Sequence, residues 1–176
     1  CSTTVPKCST ICTKSSTKVM LPLYDTPSDD NLEPLLKPLV EIIFNNLYEN
    51  GFRKFCFIIS NSKSALIDHM TPEKYYISIL EKRGLLDYKR FAKHLRILYK
   101  KIENSEFNWV IQNEPLGFGD AVLKAKNIVG KNNFLLHTGD AYFPNYALLK
   151  KFIEKNKNEK NDSTLLLQKL KSVKGY

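Results

Sequence analysis

Three short apolar runs, RKFCFIIS (53–60), FNWVIQ (107–112) and NFLLHTG (133–139), are separated by stretches whose apolar residues recur at helical spacing. Runs this short, rich in aromatic and β-branched residues, are read as strands buried on both faces. Strands joined through helices become parallel neighbours by right-handed crossovers, and the helices then cover both sides of the sheet. The expected class is therefore α/β, a Rossmann-like doubly wound, mostly parallel sheet. Such sheets bind ligands in the crevice beyond the carboxyl ends of their strands.

The helices follow from periodicity and end signals. PLLKPLVEIIFNNLYENG (34–51) places Leu39, Ile42, Ile43, Leu47 and Tyr48 on one face and stops at Gly51. SNSKSALIDHM (60–70) reads as a loop, and TPEKYYISILEKRG (71–84) as a helix with Thr71 as N-cap, Pro72 at its first position and Glu73 behind it. A third helix opens at Asp87 and runs to about Ile102, and GDAVLKAKNIVG (119–130) is a fourth, ended by Gly130. PNYALLKKFIEKN (144–156) is a helix opened by Pro144, and STLLLQKL (163–170) is read as a last strand. Residues 1–18 show no periodicity and read as irregular, with order expected from Val19.

At 176 residues and 43% hydrophobic content the chain suits one packed domain. No apolar run approaches a membrane span and nothing resembles a signal peptide, so the expectation is a cytoplasmic protein without membrane contact. The net charge of +9 raises nucleic-acid binding, but the lysines are dispersed. KNKNEKND (155–162) reads as a solvated helix end, and DYKRFAKHLRILYKK (87–101) as a helix with an apolar stripe and a wet face. Cys1, Cys8 and Cys12 lie in a polar tract and Cys56 in an apolar run, with no C-x-x-C pair to suggest zinc.

Two polar stretches fall where strands end: QNEPLGFGD (112–120) and HTGDAYF (137–143). The carboxamide of Gln112 carries both donors and acceptors, matching the edge of a uracil or thymine ring, and Gly117 lets a planar group approach the backbone. The same glycines also suit a plain turn. Asp140, at a strand tip, can hold a divalent cation against phosphate oxygens or cap a helix. His137 fits an inward strand position and receives no catalytic role. In STKVMLPLYDTP (16–27), Lys18 precedes an apolar anchor, from which it either reaches a phosphate or stays solvated.

Four stretches together resemble the sugar-nucleotide-forming nucleotidyltransferases, and most closely the bacterial and archaeal UTP–glucose-1-phosphate uridylyltransferases (UDP-glucose pyrophosphorylases). KVMLPLYDTP resembles P-K-x-M-L-P-x-x-D-K-P, and SNSKSALIDHM resembles G-R-G-K-R-A-I-E-D-H-F. QNEPLGFGDAVLKAKNIVG resembles Q-x-E-P-L-G-L-G-H-A-V-x-x-A-x-x-x-V-G, and FLLHTGDAYF resembles a strand ending in G-D-D. The resemblance implies that Gln112 and Gly117 read the pyrimidine base and that Asp140 binds substrate through a catalytic Mg2+. It makes Lys18 the catalytic phosphate contact. The implied partners are UTP and glucose 1-phosphate, and the implied reaction is transfer of UMP to give UDP-glucose and pyrophosphate.

The chain departs from that pattern. Where the family has G-x-G-T-R, Thr4–Cys8 reads TVPKC: Pro6 lacks an amide hydrogen, Thr4 and Val5 crowd a tight loop, and Lys7 is the nearest cation. The resemblance thus implies an irregular segment 1–18 in place of the glycine-rich loop, a nucleotidyltransferase-like α/β domain over 19–176, and a chain shortened at both ends. Val19 and Ala141 replace acids, and the family's second metal aspartate lies beyond the matched stretch. Alternatives remain a noncatalytic nucleotide-binding or regulatory relative, and a basic interaction module reusing the fold. The residues leave the oligomeric state open, a homo-oligomer included.

Overall fold

The computed structural model describes residues 8–12, 16–25, 34–60, 64–114, 116–143, 147–159 and 162–167. Among these lie two compact units, the first ending at Tyr142 and the second beginning at Phe143.

The first unit is built on a parallel four-stranded sheet of β1 (Cys8–Cys12), β4 (Lys54–Ser60), β5 (Glu106–Gln112) and β6 (Phe134–Thr138), in the order β5-β4-β1-β6. The chain moves outward from β1 through β4 to β5, then returns to lay β6 on the far side of β1. The direction of winding reverses between β1 and β6, which is where a doubly wound sheet opens a crevice at its carboxyl rim. The expected fold class is borne out.

Period-two alternation in β4 accounts for both covered faces. Phe55 and Phe57 point one way and pair in register with Phe107 and Trp109 of β5. Phe57 stacks on Trp109 at 4.6 Å between ring centroids, and Phe55 meets Phe107 edge-on at 5.5 Å. On that face α2 (Leu39–Glu49) lays Phe44 against Phe55 at 5.0 Å and Phe107 at 5.4 Å. Cys56 and Ile58 point the other way, where they join Ala121, Ala125 and Val129 in a buried cluster flanked by Val110, Phe118 and Val122. Those partners belong to α6 (Phe118–Lys124) and α7 (Lys126–Val129), with Ala125 between them. The sequence reading of 119–130 as one helix is thus divided at Ala125, and Gly130 ends it with φ of 60°.

α1 (Ser16–Val19) follows β1, and an antiparallel pair, β2 (Pro22–Asp25) with β3 (Leu35–Pro38), precedes α2. A 2.7 Å ion pair between the buried Lys37 and Asp25 ties these strands together. α4 (Lys74–Lys82) and α5 (Leu86–Glu103) pack side by side, clamped outside by Arg96 donating to both oxygens of Glu81. Ala92, Leu95, Leu98, Tyr99 and Ile102 form the buried stripe of α5 that its spacing predicts.

Glu41, on α2, is 1% exposed, and its carboxylate accepts from His69 Nε2 at 3.0 Å and from His94 Nε2 at 2.9 Å. His69 ends α3 (Ser64–His69) and His94 sits in α5, so one carboxylate fastens three helices. Burial alone raises a carboxyl pKa, yet the two histidine hydrogen bonds and their charge outweigh it and hold Glu41 at about 2.

Several elements differ from expectation. Cys8–Cys12 is a central strand inside the stretch read as irregular, while residues 1–7 lie outside the described residues. Residues 35–38, read as helix, form β3, and Pro38 occupies the N-cap of α2. The loop read over 60–70 contains α3. Thr71 does not cap the next helix: its hydroxyl donates back to Ile67 O at 2.7 Å, and Glu73 is the N-cap.

The second unit holds α8 (Ala147–Glu159), with Asn156 donating to Thr164 Oγ1 at 2.8 Å. Pro144, read as that helix's opener, lies outside the described residues. Residues 163–167, read as the start of a last strand, are not in a strand, and Leu165 and Leu167 are exposed. Residues 168–170 lie outside the described residues.

Candidate functional site

All four strands are parallel, so their carboxyl ends share one rim. Gln112 ends β5 and is level with Ser60 of β4, while Thr138 of β6 is level with Cys12 of β1. Three strand spacings of roughly 4.8 Å separate the β5 and β6 ends, about 14 Å in all. A nucleotide is long enough to cross that interval from base to phosphates.

At the β6 end, Thr138 leads through Gly139 to Asp140, and Ala141 N donates to Thr138 O at 3.3 Å to close the turn. Asp140 faces Lys18 across the switch point, Nζ to Oδ2 at 3.9 Å, with 63% and 53% of the two side chains exposed. Lys18 is placed there by its neighbour: Val19 is 1% exposed and pins α1, while Leu21 N donates to Lys18 O at 3.2 Å. A cation and a carboxylate, both open to solvent at a crevice, can divide the work of holding phosphate and metal.

His137 turns inward at 5% exposure, and its Nδ1 donates to Thr138 O at 2.6 Å. Burial lowers its pKa, favouring the neutral ring, although the Thr138 hydrogen bond and the charge of Asp140 oppose the shift. It behaves as the core histidine its strand position suggests.

At the β5 end the chain turns into α6 through Gly117, the N-cap, with φ of 111° and ψ of 178°. Side chains other than glycine rarely adopt that conformation. Nothing lies within 4 Å of where a Cβ would stand, so the surface above this backbone is open. The half-buried Gln112 amide reaches across the turn, Nε2 donating to Gly117 O at 3.2 Å and to Asp120 Oδ2 at 2.7 Å. Asp120 stands in the first turn of α6, and its other oxygen lies 4.0 Å from Lys124 Nζ.

The fold thus brings all four sequence-chosen residues to the same rim, as two clusters: Lys18 with Asp140, and Gln112 with Gly117. Asp120, which closes the polar stretch 112–120, is not singled out in the sequence, although it is the partner of Gln112. Its position eight residues after Gln112 gives no periodic signal, since a strand end and a helix start meet there. Among the described residues, no three His, Cys, Asp or Glu side chains converge as a metal cage, and no helix is long and apolar enough to cross a membrane.

No protein-family model matches the chain. The chain is 33% identical over 129 residues to the UTP–glucose-1-phosphate uridylyltransferase of Mycoplasma pneumoniae, a match covering 73% of this chain and 38% of that protein. With the enzyme of the same name from Streptococcus pneumoniae serotype 4 it shares 27% identity over 128 residues, covering 73% and 37% respectively. Among solved structures, the UTP-bound UGPase from Acinetobacter baumannii superposes with a TM-score of 0.68 at 20% identity, over 89% of this chain and 54% of that one. A UDP-glucose pyrophosphorylase complexed with UDP-glucose gives 0.61 at 18% identity, over 89% and 55%. These structural matches show the fold, and the curated relatives bear out the resemblance read from the four stretches. The chain spans less than half the length of the curated relatives it matches.

Proposed function

We propose that this chain binds a uridine nucleotide along its carboxyl rim and serves in the transfer of UMP from UTP to glucose 1-phosphate, yielding UDP-glucose and pyrophosphate. One observation carries the reading: Lys18 and Asp140 meet at 3.9 Å at the switch point, on the same rim as the Gln112–Gly117 turn. The base lies over the open backbone of Gly117 with its edge toward Gln112, and the triphosphate runs toward Lys18. An oxygen of the sugar phosphate forms a bond to the α-phosphorus, the bond from that phosphorus to the β-phosphate's bridging oxygen breaks, and pyrophosphate leaves. No covalent enzyme intermediate is needed, so positioning and charge stabilisation supply the catalysis.

Asp140 is the group that would hold Mg2+. It offers a half-exposed carboxylate, a hard oxygen donor of the kind a divalent cation takes. That ion would neutralise charge on the phosphates. Lys18, with 63% of its side chain exposed, is the cation that would meet a phosphate oxygen beside it. In this reading residues 19–176 are the nucleotidyltransferase-like part, with Cys8–Cys12 supplying the central strand from the segment that stands in place of a glycine-rich loop. In this reading the activity is cytoplasmic.

A second reading, a nucleotide-binding relative without turnover, is favoured by one feature: Ala141 and Val19 stand beside Asp140 and Lys18 where the resemblance has acids. Pyrophosphate release with UTP, glucose 1-phosphate and Mg2+ tests the first reading. UTP-dependent thermal stabilisation without pyrophosphate selects the second, since a ligand bound only by the native state raises its melting temperature. Absence of both removes both.

A further inference from the structure

We propose that Asp120 is a positioning residue that locks the Gln112 amide with its oxygen toward the bound base, so that the site selects a pyrimidine carrying N–H at ring position 3. This rests on the uridine-nucleotide reading above and assigns part of its base selectivity to a residue that does not touch the base.

An amide can be turned over by half a rotation, exchanging a donor edge for an acceptor edge of nearly the same shape. What decides between the two is the partner on the protein side. Here both partners only accept: Asp120 Oδ2 at 2.7 Å and Gly117 O at 3.2 Å receive the two hydrogens of Nε2. Turning the amide over would press its oxygen against a carboxylate and a carbonyl. The short contact to Asp120 is the charge-assisted one and dominates the orientation.

With both hydrogens committed, Oε1 is what the amide can offer a ligand above the Gly117 backbone, where the structure leaves open space. An acceptor facing ring position 3 matches the N3–H of uracil. Cytosine presents a lone pair at that atom, and the two acceptors would be left facing each other with no hydrogen between them. Motifs of the resemblance carry histidine at the place of Asp120, a side chain that can either donate or accept and so imposes no such choice by itself.

The test compares nucleotide binding by the whole chain and two variants, Asp120→Asn and Asp120→Ala, using calorimetric titration with UTP and with CTP in the presence of Mg2+. Asparagine keeps the shape but can donate as well as accept, and alanine withdraws the partner; both release the amide. The expected result is that the preference for UTP over CTP falls about tenfold in each variant, through weaker UTP and stronger CTP binding. The melting temperature of the unliganded variants, with Asp120 on a partly exposed first turn, stays near that of the parent chain. Equal weakening of both nucleotides would mark Asp120 as merely structural and overturn the inference while leaving the uridine reading in place. Failure of the parent chain to bind UTP at all would overturn the uridine reading and this inference with it.

Discussion

Lys18 Nζ stands 3.9 Å from Asp140 Oδ2 where the sheet reverses its winding, and most of each side chain is in water. An exposed pair at that separation adds well under ~1 kcal/mol to stability. In the proposed function the lysine acts on a phosphate in the crevice and not on the fold. Lys18→Met is therefore expected to leave the urea midpoint unchanged while lowering kcat/KM for pyrophosphate release on the order of a hundredfold. A matching loss of stability would assign the lysine to the fold instead.

Asp140→Asn separates metal from phosphate. The amide keeps the size and loses the charge a divalent cation requires, so UTP binding should become insensitive to Mg2+ between zero and saturating concentration. Titration calorimetry at both extremes reads this directly. Because Asp140 is exposed and follows a short turn, the variant should melt with the parent chain. Binding that still strengthens with Mg2+ would take the metal role away from Asp140.

The part of the fold legible in the sequence is the part whose apolar pattern is unambiguous. KFCFIIS could only be a buried strand, because Phe55 and Phe57 serve one face while Cys56 and Ile58 serve the other. The neighbouring β1 gave no such signal: CSTIC has a single large apolar residue, and it is a strand because the sheet surrounds it on both sides. LLKP merged into the following helix because Leu35, Leu36 and Leu39 continue its apolar rhythm, and only the antiparallel pairing with β2 separates them. The leucines at 165–167 misled in the opposite direction, for strand propensity alone does not make a strand, and these three side chains are exposed.

At the candidate site, the sequence singles out residues that the fold brings to one rim, and it does not show their partners. Gln112 and Gly117 stand out as an amide and a glycine at a strand end, and Asp140 as an acid at a strand tip. That Asp120 takes the hydrogens of Gln112 depends on how the turn at Gly117 folds back over eight residues, which no local pattern encodes. The pairing of Lys18 with Asp140 depends likewise on β6 lying beside β1.

Gly117→Ala probes that turn. With φ of 111° the backbone sits where an alanine is strained, yet no atom lies within 4 Å to collide with the new methyl group. The penalty is thus conformational, roughly 1–3 kcal/mol. Either the chain bears that cost or the turn relaxes, pulling Gly117 O away from Gln112 Nε2. Both outcomes weaken UTP binding, and the expected signature is a lower melting temperature together with a several-fold rise in the UTP dissociation constant. An alanine variant equal to the parent in both would show that the turn is not under this constraint.

The Glu41 carboxylate makes the pH dependence of the fold predictable. Its pKa is held at about 2 against an ordinary 4.5, because the hydrogen bonds from His69 and His94 and their charge overcome the cost of burial. A carboxyl whose folded value is depressed contributes stability that is fully present above its unfolded value and disappears as pH falls through the folded one. The window is therefore pH 4.5 down to 2, and a shift of that size corresponds to about 3 kcal/mol. Asn45, whose amide donates to the same carboxylate at 3.4 Å, and Lys101, which donates to Asn45 at 3.0 Å, complete the charged and polar surroundings on α2 and α5. Glu41→Gln keeps the volume but removes the charge, and it cannot accept from both histidines with equal strength. At neutral pH it should lower the unfolding free energy by about 2–3 kcal/mol, and between pH 4.5 and 2 the gap between variant and parent should close. Urea titrations of both proteins across that range isolate the effect, because every other carboxyl group titrates alike in the two. A gap that stays constant down to pH 2 would mean that the three helices are held by packing and that the Glu41 charge contributes nothing.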